Sequence, residues 1–473
     1  MLGRIFKAYD IRGTYPDLLN ESMAWQIGFG ASKFLRDEAE AAGDTSPMMR
    51  NIVVGRDMRK SSPSLETALI KGITDQGGDV VDVGLVDTPF VYFAINHLDC
   101  AGGVMVTASH NPPQYNGFKI SKRLAKPVGE TSGLAEIRKR AAMVDKATLV
   151  PAKGRIEERD LWDAYKQHVR SFLDMGGAKL KVVIDASNGM AGTMVPRLFG
   201  RKGADVPGLQ IVEMNFENSR GEFVHEPNPL VAANLQQLQH AVRTEQANLG
   251  ICFDGDADRL VVVDNKGEIV GCDLLTALVA RHFLAKTKGG AVAYDLRSTK
   301  AVEEEIRAAG GVPVRSRVGH VFMKQNMAEH KGVFGGELSG HFYFRDNFNA
   351  DSGAIAMAVV LSLLARAKKP MSDLIKPLAR YCQSGEINFT IEDKDGALAN
   401  VKKTYGPGSA TRATIDELDG VTVDAFKTAG WWANIRKSNT EPLLRLNLEA
   451  KDTRTLEKML AQIAPLLGTR ADH

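Results

Sequence analysis

A chain of 473 residues, 44% hydrophobic and 25% charged, is too long for one ordinary core and is expected to form about three or four globular domains. A formal net charge of +3 is close to neutral at this length, so composition gives no reason to expect nucleic acid or a membrane surface as partner. The four cysteines, Cys100, Cys252, Cys272 and Cys382, are scattered with no C-x-x-C pair, which argues against a zinc site or disulfide framework and fits a reducing, cytoplasmic setting. The opening residues, Met1 to Asp10, lack an apolar core of signal-peptide length. The longest apolar run, near Ala354 to Ala365, is short of the ~20 residues of a spanning helix and reads as a buried helix.

In chain order, one pattern recurs three times. A short β-branched run ending in a polar loop is expected to be a buried strand at 51–57, again at 181–189 and again at 291–299. Each is followed by a helical stretch, such as 300–309, and then by a second strand, at 79–83, 209–213 and 312–315. A third strand follows, at 103–106, 249–253 and 332–334, and each third strand leads into a loop rich in chemistry. Strand–helix–strand alternation implies crossover connections and mixed or parallel sheets, with ligands at the strand ends. From about Cys382 the pattern changes to period-2 stretches at 387–391 and 444–448, then a helical pattern from Thr453 to Leu467. The expected fold class is α/β: three similar mixed-sheet α/β domains plus a C-terminal α+β domain, arranged around one central cleft. The expected boundaries are 1–154, 155–266, 267–378 and 379–473.

The first loop, Val106 to Pro112, sets Ser109 beside His110 and Asn111 on a turn closed by proline. A serine hydroxyl needs a base, a metal or a pre-loaded phosphate to react, and His110 and Lys119 are nearby candidates for polarising it. The absence of a G-x-S-x-G elbow disfavours acyl transfer. The second loop carries Asp254, Asp256 and Asp258 at alternate positions, followed by Arg259. Three carboxylates at this spacing converge on one cation if the backbone curls, and oxygen-only ligands suit Mg²⁺. An EF-hand fails, because the sixth and twelfth positions counted from Asp254 are Arg259 and Asn265. Arg259 is then placed to contact phosphate or aspartate. In the third loop, Glu337 and Ser339 are spaced to serve adjacent sugar hydroxyls, with His320 and His341 as acid/base candidates. A fourth loop, Arg436 to Thr440, is dense in donors and suits a phosphate that is not transferred. Nothing resembles a Walker loop. Together the loops suggest phosphoryl transfer on a small hydroxylated substrate.

These residues carry a resemblance. The run Phe6 to Gly13, the loop Thr107 to Pro112, Asp254 to Arg259, Val318 to His320, Gly336 to His341 and Arg436 to Pro442 resemble, in order, motifs of the α-D-phosphohexomutase family, in its bacterial phosphomannomutase/phosphoglucomutase branch. The resemblance implies four domains around a cleft, and reversible interconversion of a hexose 1-phosphate and 6-phosphate through a 1,6-bisphosphate, which also serves as activator. It implies that Ser109 is phosphorylated and that Mg²⁺ is held by Asp254, Asp256, Asp258 and the phosphoserine. It implies that Tyr9 and Arg12 border the cleft and that Arg297 and His320 line the substrate side. Glu337 and Ser339 would bind the sugar, and Arg436, Ser438, Asn439 and Thr440 the distal phosphate. Lys119 and His341 are the expected general acid/base groups, with His110 beside the serine. Arg297 stands where the family often has lysine, and Leu338 where it often has methionine; the first keeps charge, the second volume.

Partners are expected to be small sugar phosphates, with no nucleic acid or membrane, and the chain a monomer or weak dimer. The nearest alternative is a phosphoglucosamine mutase, disfavoured because that branch usually reads Gly-Thr-Asp-Gly-Ile-Arg-Gly where this chain has Tyr9-Asp10-Ile11-Arg12-Gly13, and Gln where it has Leu338. A Mg-dependent sugar-phosphate phosphatase using Asp254 and Asp256 leaves Ser109 and the fourth loop unexplained. A non-catalytic sugar-phosphate binder would not need Ser109 and all three aspartates.

Overall fold

A computed structural model describes residues 2–144, 152–438 and 443–471. The chain divides into two compact units, the first comprising residues up to Cys272 with Ser339–Ser372, the second Asp273–Leu338 with Asp373 to the C-terminal end.

The first unit holds two mixed sheets. In one, the order is Ile11–Thr14, Tyr115–Lys122, Gly102–Val106, Asn51–Arg56, Asp79–Leu85 and Ile156–Glu158, with Lys126–Pro127 pairing on Tyr115–Lys122. The other runs Ile269–Val270, Leu260–Asp264, Leu249–Phe253, Leu180–Asp185 and Leu209–Met214. Every residue of Gly102–Val106, Leu249–Phe253 and Leu260–Asp264 is buried, as expected where a sheet is covered on both faces. In each sheet the recurring triplet pairs parallel, its third strand lying beside its first. The third strand then turns back antiparallel: Gly102–Val106 on Tyr115–Lys122, Leu249–Phe253 on Leu260–Asp264. The serine and aspartate loops are therefore equivalent reversals in two similar sheets. The apolar run becomes the helix Gly353–Ala367, with Gly353 to Ala365 buried and Ser352 accepting from the Ile355 N–H as N-cap.

In the second unit, Ala291–Asp295 pairs parallel with Val312–Ser316 and Phe334–Gly336. The expected third strand at 332–334 lies two residues further on. A Cβ at Gly336 would meet Thr276 Oγ1 at 2.1 Å, so the Gly335-Gly336 pair that resembles a turn is a strand trimmed for a close neighbour. The C-terminal sheet is antiparallel, in the order Thr414–Asp416, Val421–Ala425, Trp431–Lys437, Leu444–Ala450, Cys382–Thr390, Thr469–Arg470. The helices Lys394–Tyr405 and Thr453–Leu467 bury Val401, Tyr405, Met459, Ile463 and Leu467 with the inward residues of this sheet. Three α/β domains and a C-terminal α+β domain are thus the architecture, and among the described residues no helix is long and apolar enough to cross a membrane.

One buried acid beneath the first sheet makes a stability prediction. Burial, helped by Asp82 and opposed by the Arg56 pair at 2.7 Å, pushes the Glu66 carboxyl up to about 8. The folded state therefore holds this proton where the unfolded state has lost it. The stabilisation is full below the unfolded pKa, near 4.5, and is lost as pH rises through about 8. Glu66→Gln is expected to flatten the fall in melting temperature between pH 5 and 8.5, read by calorimetry.

Candidate active site

The serine loop folds back on itself at Ser109, whose φ is +51°, a left-handed conformation that a non-glycine residue holds only when its surroundings impose it. The Ser109 N–H donates to Thr107 Oγ1 at 2.9 Å, and the side chain is 1% exposed. Its hydroxyl donates to Asp254 Oδ2 at 2.8 Å, with His110 Nδ1 3.3 Å from the same oxygen. The two loops approach so closely that a Cβ at Gly255 would meet the Ser109 carbonyl oxygen at 2.3 Å; only glycine fits there.

Asp254, Asp256 and Asp258 each offer a carboxylate oxygen, and these oxygens lie within 4.8 Å of one another. Lys119 reaches them because the antiparallel register sets it opposite Met105 on the strand that returns from the serine loop. Its Nζ donates to Asp256 Oδ2 at 2.7 Å and to Asp258 Oδ2 at 2.5 Å. Thr88 Oγ1 donates to Asp256 Oδ2 at 2.6 Å, and the Arg259 N–H to Asp254 Oδ1 at 3.1 Å. His341 Nε2 lies 3.3 Å from Asp258 Oδ1 and 3.7 Å from Asp351 Oδ2, with Arg259 Nε at 3.4 Å. Arg12 joins this set through Asn111, donating to its Oδ1 at 2.5 Å and to Asp10 Oδ2 at 2.6 Å. Tyr9, one residue before Asp10, is half-buried.

The electrostatics follow from crowding buried acids. Burial, then Asp258 and Asp256, hold the Asp254 carboxyl well above the usual range. Burial disfavours the Lys119 ammonium, but Asp256, Asp258 and Asp254 outweigh it and raise the lysine above its ordinary value, so it is a fixed cation. Burial, with Arg259 and Arg12 nearby, holds His110 well below the usual histidine range, hence neutral. A divalent cation fits the residues present: the donors are all oxygens, two cations, Lys119 and Arg259 (Nε 3.8 Å from Asp254 Oδ2), face three carboxylates, and Asp256 Oδ1 is buried with no hydrogen-bond partner among the described residues.

In the second unit Arg297 is held by Asp295, Nη2 to Oδ2 at 2.9 Å and Nε to Oδ1 at 3.2 Å, and the Leu338 N–H donates to the same Asp295 Oδ2 at 2.7 Å. Glu337 is buried, and its Oε2 accepts from the Gly319 N–H at 3.2 Å, beside His320 at the start of the helix His320–Glu329. A residue absent from the sequence reading gathers the arginines. Glu386 accepts from Arg445 Nη1 at 2.9 Å, Arg436 Nη2 at 3.1 Å and Arg297 Nη1 at 3.3 Å. Burial disfavours its charge, but the three arginines outweigh that and lower its carboxyl. The available signal was Gly385 inside a strand: its φ is +67°, and the register slips between Gln383 and Glu386. The Ser438 N–H donates to the Leu443 carbonyl at 2.9 Å. Asn439 and Thr440 lie outside the described residues.

Comparison with known proteins places the chain in a family. The phosphoglucomutase/phosphomannomutase family models match four times: α/β/α domain I over residues 3–147, domain II over 163–267, domain III over 272–381 and the C-terminal domain over 386–466. A protein named phosphohexose mutases from Xanthomonas campestris pv. campestris is 39% identical over 466 residues, covering 98% of each chain. Phosphomannomutase/phosphoglucomutase of Pseudomonas aeruginosa is 36% identical over 458 residues, covering 96% of this chain and 93% of its own. The crystal structure of a phosphoglucomutase/phosphomannomutase family protein from Burkholderia thailandensis superposes with a TM-score of 0.84 at 30% identity, covering 98% of this chain and 96% of that one. Fold and loops define a phosphomutase, an isomerase that moves a phosphoryl group within its substrate. The chain belongs to the phosphoglucomutase/phosphomannomutase family of the α-D-phosphohexomutases.

Proposed function

We propose that the chain interconverts the 1- and 6-phosphates of mannose and glucose through a 1,6-bisphosphate, with Ser109 as phosphoryl carrier. The observation that carries this reading is the Ser109 hydroxyl at 2.8 Å from the first of three clustered aspartates. In the forward half, the bond between the Ser109 oxygen and phosphorus breaks and a bond to the free sugar hydroxyl forms. The hydroxyl proton passes to His341, and the serine oxygen is left as an alkoxide that takes up a proton. In the second half the Ser109 oxygen loses its proton to solvent and bonds to the other phosphorus of the bisphosphate, the bond from that phosphorus to the sugar oxygen breaks, and His341 returns its proton to the sugar oxygen. Phosphoryl transfer asks the protein chiefly for alignment and charge neutralisation. Asp254, Asp256 and Asp258 would hold Mg²⁺, which supplies Lewis-acid neutralisation of a phosphoryl oxygen. Lys119, held protonated, neutralises rather than abstracts, which favours His341 as the base. Arg259 and His110 steady the serine side, and Tyr9 and Arg12 its rim.

Glu337 and Ser339 are assigned the sugar hydroxyls. Arg436, Ser438, Asn439 and Thr440 are assigned the phosphate that is not transferred, with Arg297 and His320 on the substrate side. Domain limits at 154, 266 and 378, a cytoplasmic location and a monomer or weak dimer belong to the same reading. The pair of sugars follows the name of the Pseudomonas aeruginosa relative. Steady-state rates on mannose 1-phosphate, glucose 1-phosphate and glucosamine 1-phosphate, with Mg²⁺ and a hexose 1,6-bisphosphate, are the test. Turnover of the first two at least about tenfold above the third is expected; a reversed order assigns a glucosamine mutase, release of inorganic phosphate a phosphatase, and silence on all three sinks the reading.

A further inference from the structure

Arg59 is 1% exposed and carries no part of the reaction described above. Its guanidinium has five N–H groups, and all five are used. Nε donates to Asp57 Oδ2 at 3.1 Å. Nη1 donates to the carbonyls of Pro112 at 2.8 Å and Tyr115 at 3.0 Å. Nη2 donates to the carbonyls of Ser109 at 2.8 Å and Asn111 at 2.7 Å. Three carbonyls of the serine loop and that of Tyr115, the first residue of the strand Tyr115–Lys122, thus converge on one side chain. Within the loop, Asn111 N–H to Ala108 and Tyr115 N–H to Pro112 are the turn bonds; neither fixes the carbonyl of Ser109.

The anchor is rigid from both sides. Asp57 is fully buried, follows the strand Asn51–Arg56, and accepts from the Arg59 N–H at 3.0 Å and the Ser62 hydroxyl at 2.5 Å. The Phe223 ring lies 4.9 Å from the guanidinium carbon, and a Cβ at Gly255 would meet that same ring at 3.2 Å. One cation therefore grips the serine loop and shares a neighbour with the aspartate loop. A planar fork makes these bonds at fixed angles; an ammonium has neither the reach nor the number of donors.

We infer that Arg59 is the positioning residue of the serine loop: by clamping the carbonyls of Ser109, Asn111, Pro112 and Tyr115 it holds Ser109 in its left-handed conformation and aims the hydroxyl at Asp254. This rests on Ser109 being the phosphoryl carrier. A misplacement of about 1 Å in a reacting group costs on the order of 10²-fold in rate, and the sugar-recognition residues are untouched.

The test is the split between kcat and KM in Arg59→Lys and Asp57→Asn, with folding followed by circular dichroism. Arg59→Lys is expected to lower kcat about 10²-fold and Asp57→Asn about tenfold, each leaving KM for the hexose phosphate within about threefold, and to slow labelling of Ser109 by radiolabelled bisphosphate in the same proportion. If Arg59→Lys does not fold, Asp57→Asn alone decides. Folded variants with kcat within twofold of the wild type, or with KM rising as kcat falls, overturn the inference. Wild-type protein that takes no label on Ser109 instead overturns the carrier reading itself.

Discussion

Ser109→Ala is expected to lower turnover at least about 10⁴-fold and to leave no acid-stable phosphate on the protein after incubation with labelled hexose 1,6-bisphosphate. Alanine has no oxygen to form the phosphoester, so the loss is in kcat rather than in KM. Removing a group that is covalently bonded in an intermediate costs far more than removing a contact. One confounding effect has a remedy. Ser109 sits at φ +51°, where alanine is strained by about 1 kcal/mol and glycine is not. Ser109→Gly must be as inactive as the alanine variant while melting no lower than it. An alanine variant retaining a tenth of the wild-type rate, or label appearing on an aspartate in acid-labile form, defeats the phosphoserine mechanism and favours the aspartyl-phosphate alternative.

The strands and the two reversal loops were readable because their signals are local. A β-branched run bounded by turn formers has little choice but to be a buried strand, and alternate aspartates after such a run can converge only where the chain turns. Thr453–Leu467 has the limits expected from its helical period, with Asp452 accepting from the Thr455 N–H as its N-cap. The strand expected at 332–334 lies at Phe334–Gly336 for the opposite reason: Gly336 answers a steric demand from Thr276, far away in sequence. Arg59 was invisible, and Glu386 was marked only by the neighbouring Gly385, because a charge held inside the fold and a surface charge are spelled alike. What distinguishes them is the set of carbonyls or guanidiniums that the fold brings to them. Lys119 falls between these cases. Its nearness to the serine follows from sequence distance, but its bridging of Asp256 and Asp258 follows from strand register and the apposition of two loops.

Removing the divalent cation, or one of its ligands, is the second large effect. Dialysis against a chelator is expected to abolish turnover, and Mg²⁺ to restore it. Asp256→Asn is expected to lower kcat/KM about 10³-fold, in line with the several kcal/mol that a metal ion supplies to a phosphoryl-transfer transition state. Asp256 is the informative ligand because its two oxygens do different things. Oδ2 accepts from Thr88 and Lys119, whereas Oδ1 is buried with no hydrogen-bond partner among the described residues. The amide preserves the shape of the first set and removes the charge that the second needs. A readout independent of activity separates cation binding from folding. Mg²⁺ at 100 times its dissociation constant adds about 2.7 kcal/mol to the folded state, so the wild type melts several degrees higher with the ion present. Asp256→Asn loses that increment. Its metal-free melting temperature falls, because, against burial and Asp258, Lys119 and Thr88 hold the Asp256 carboxyl below its usual range, so the quantity compared is the rise that Mg²⁺ adds to each protein. If the variant keeps the wild-type Mg²⁺ increment, Asp256 is not a ligand of the cation, and the three-aspartate site fails as its holder.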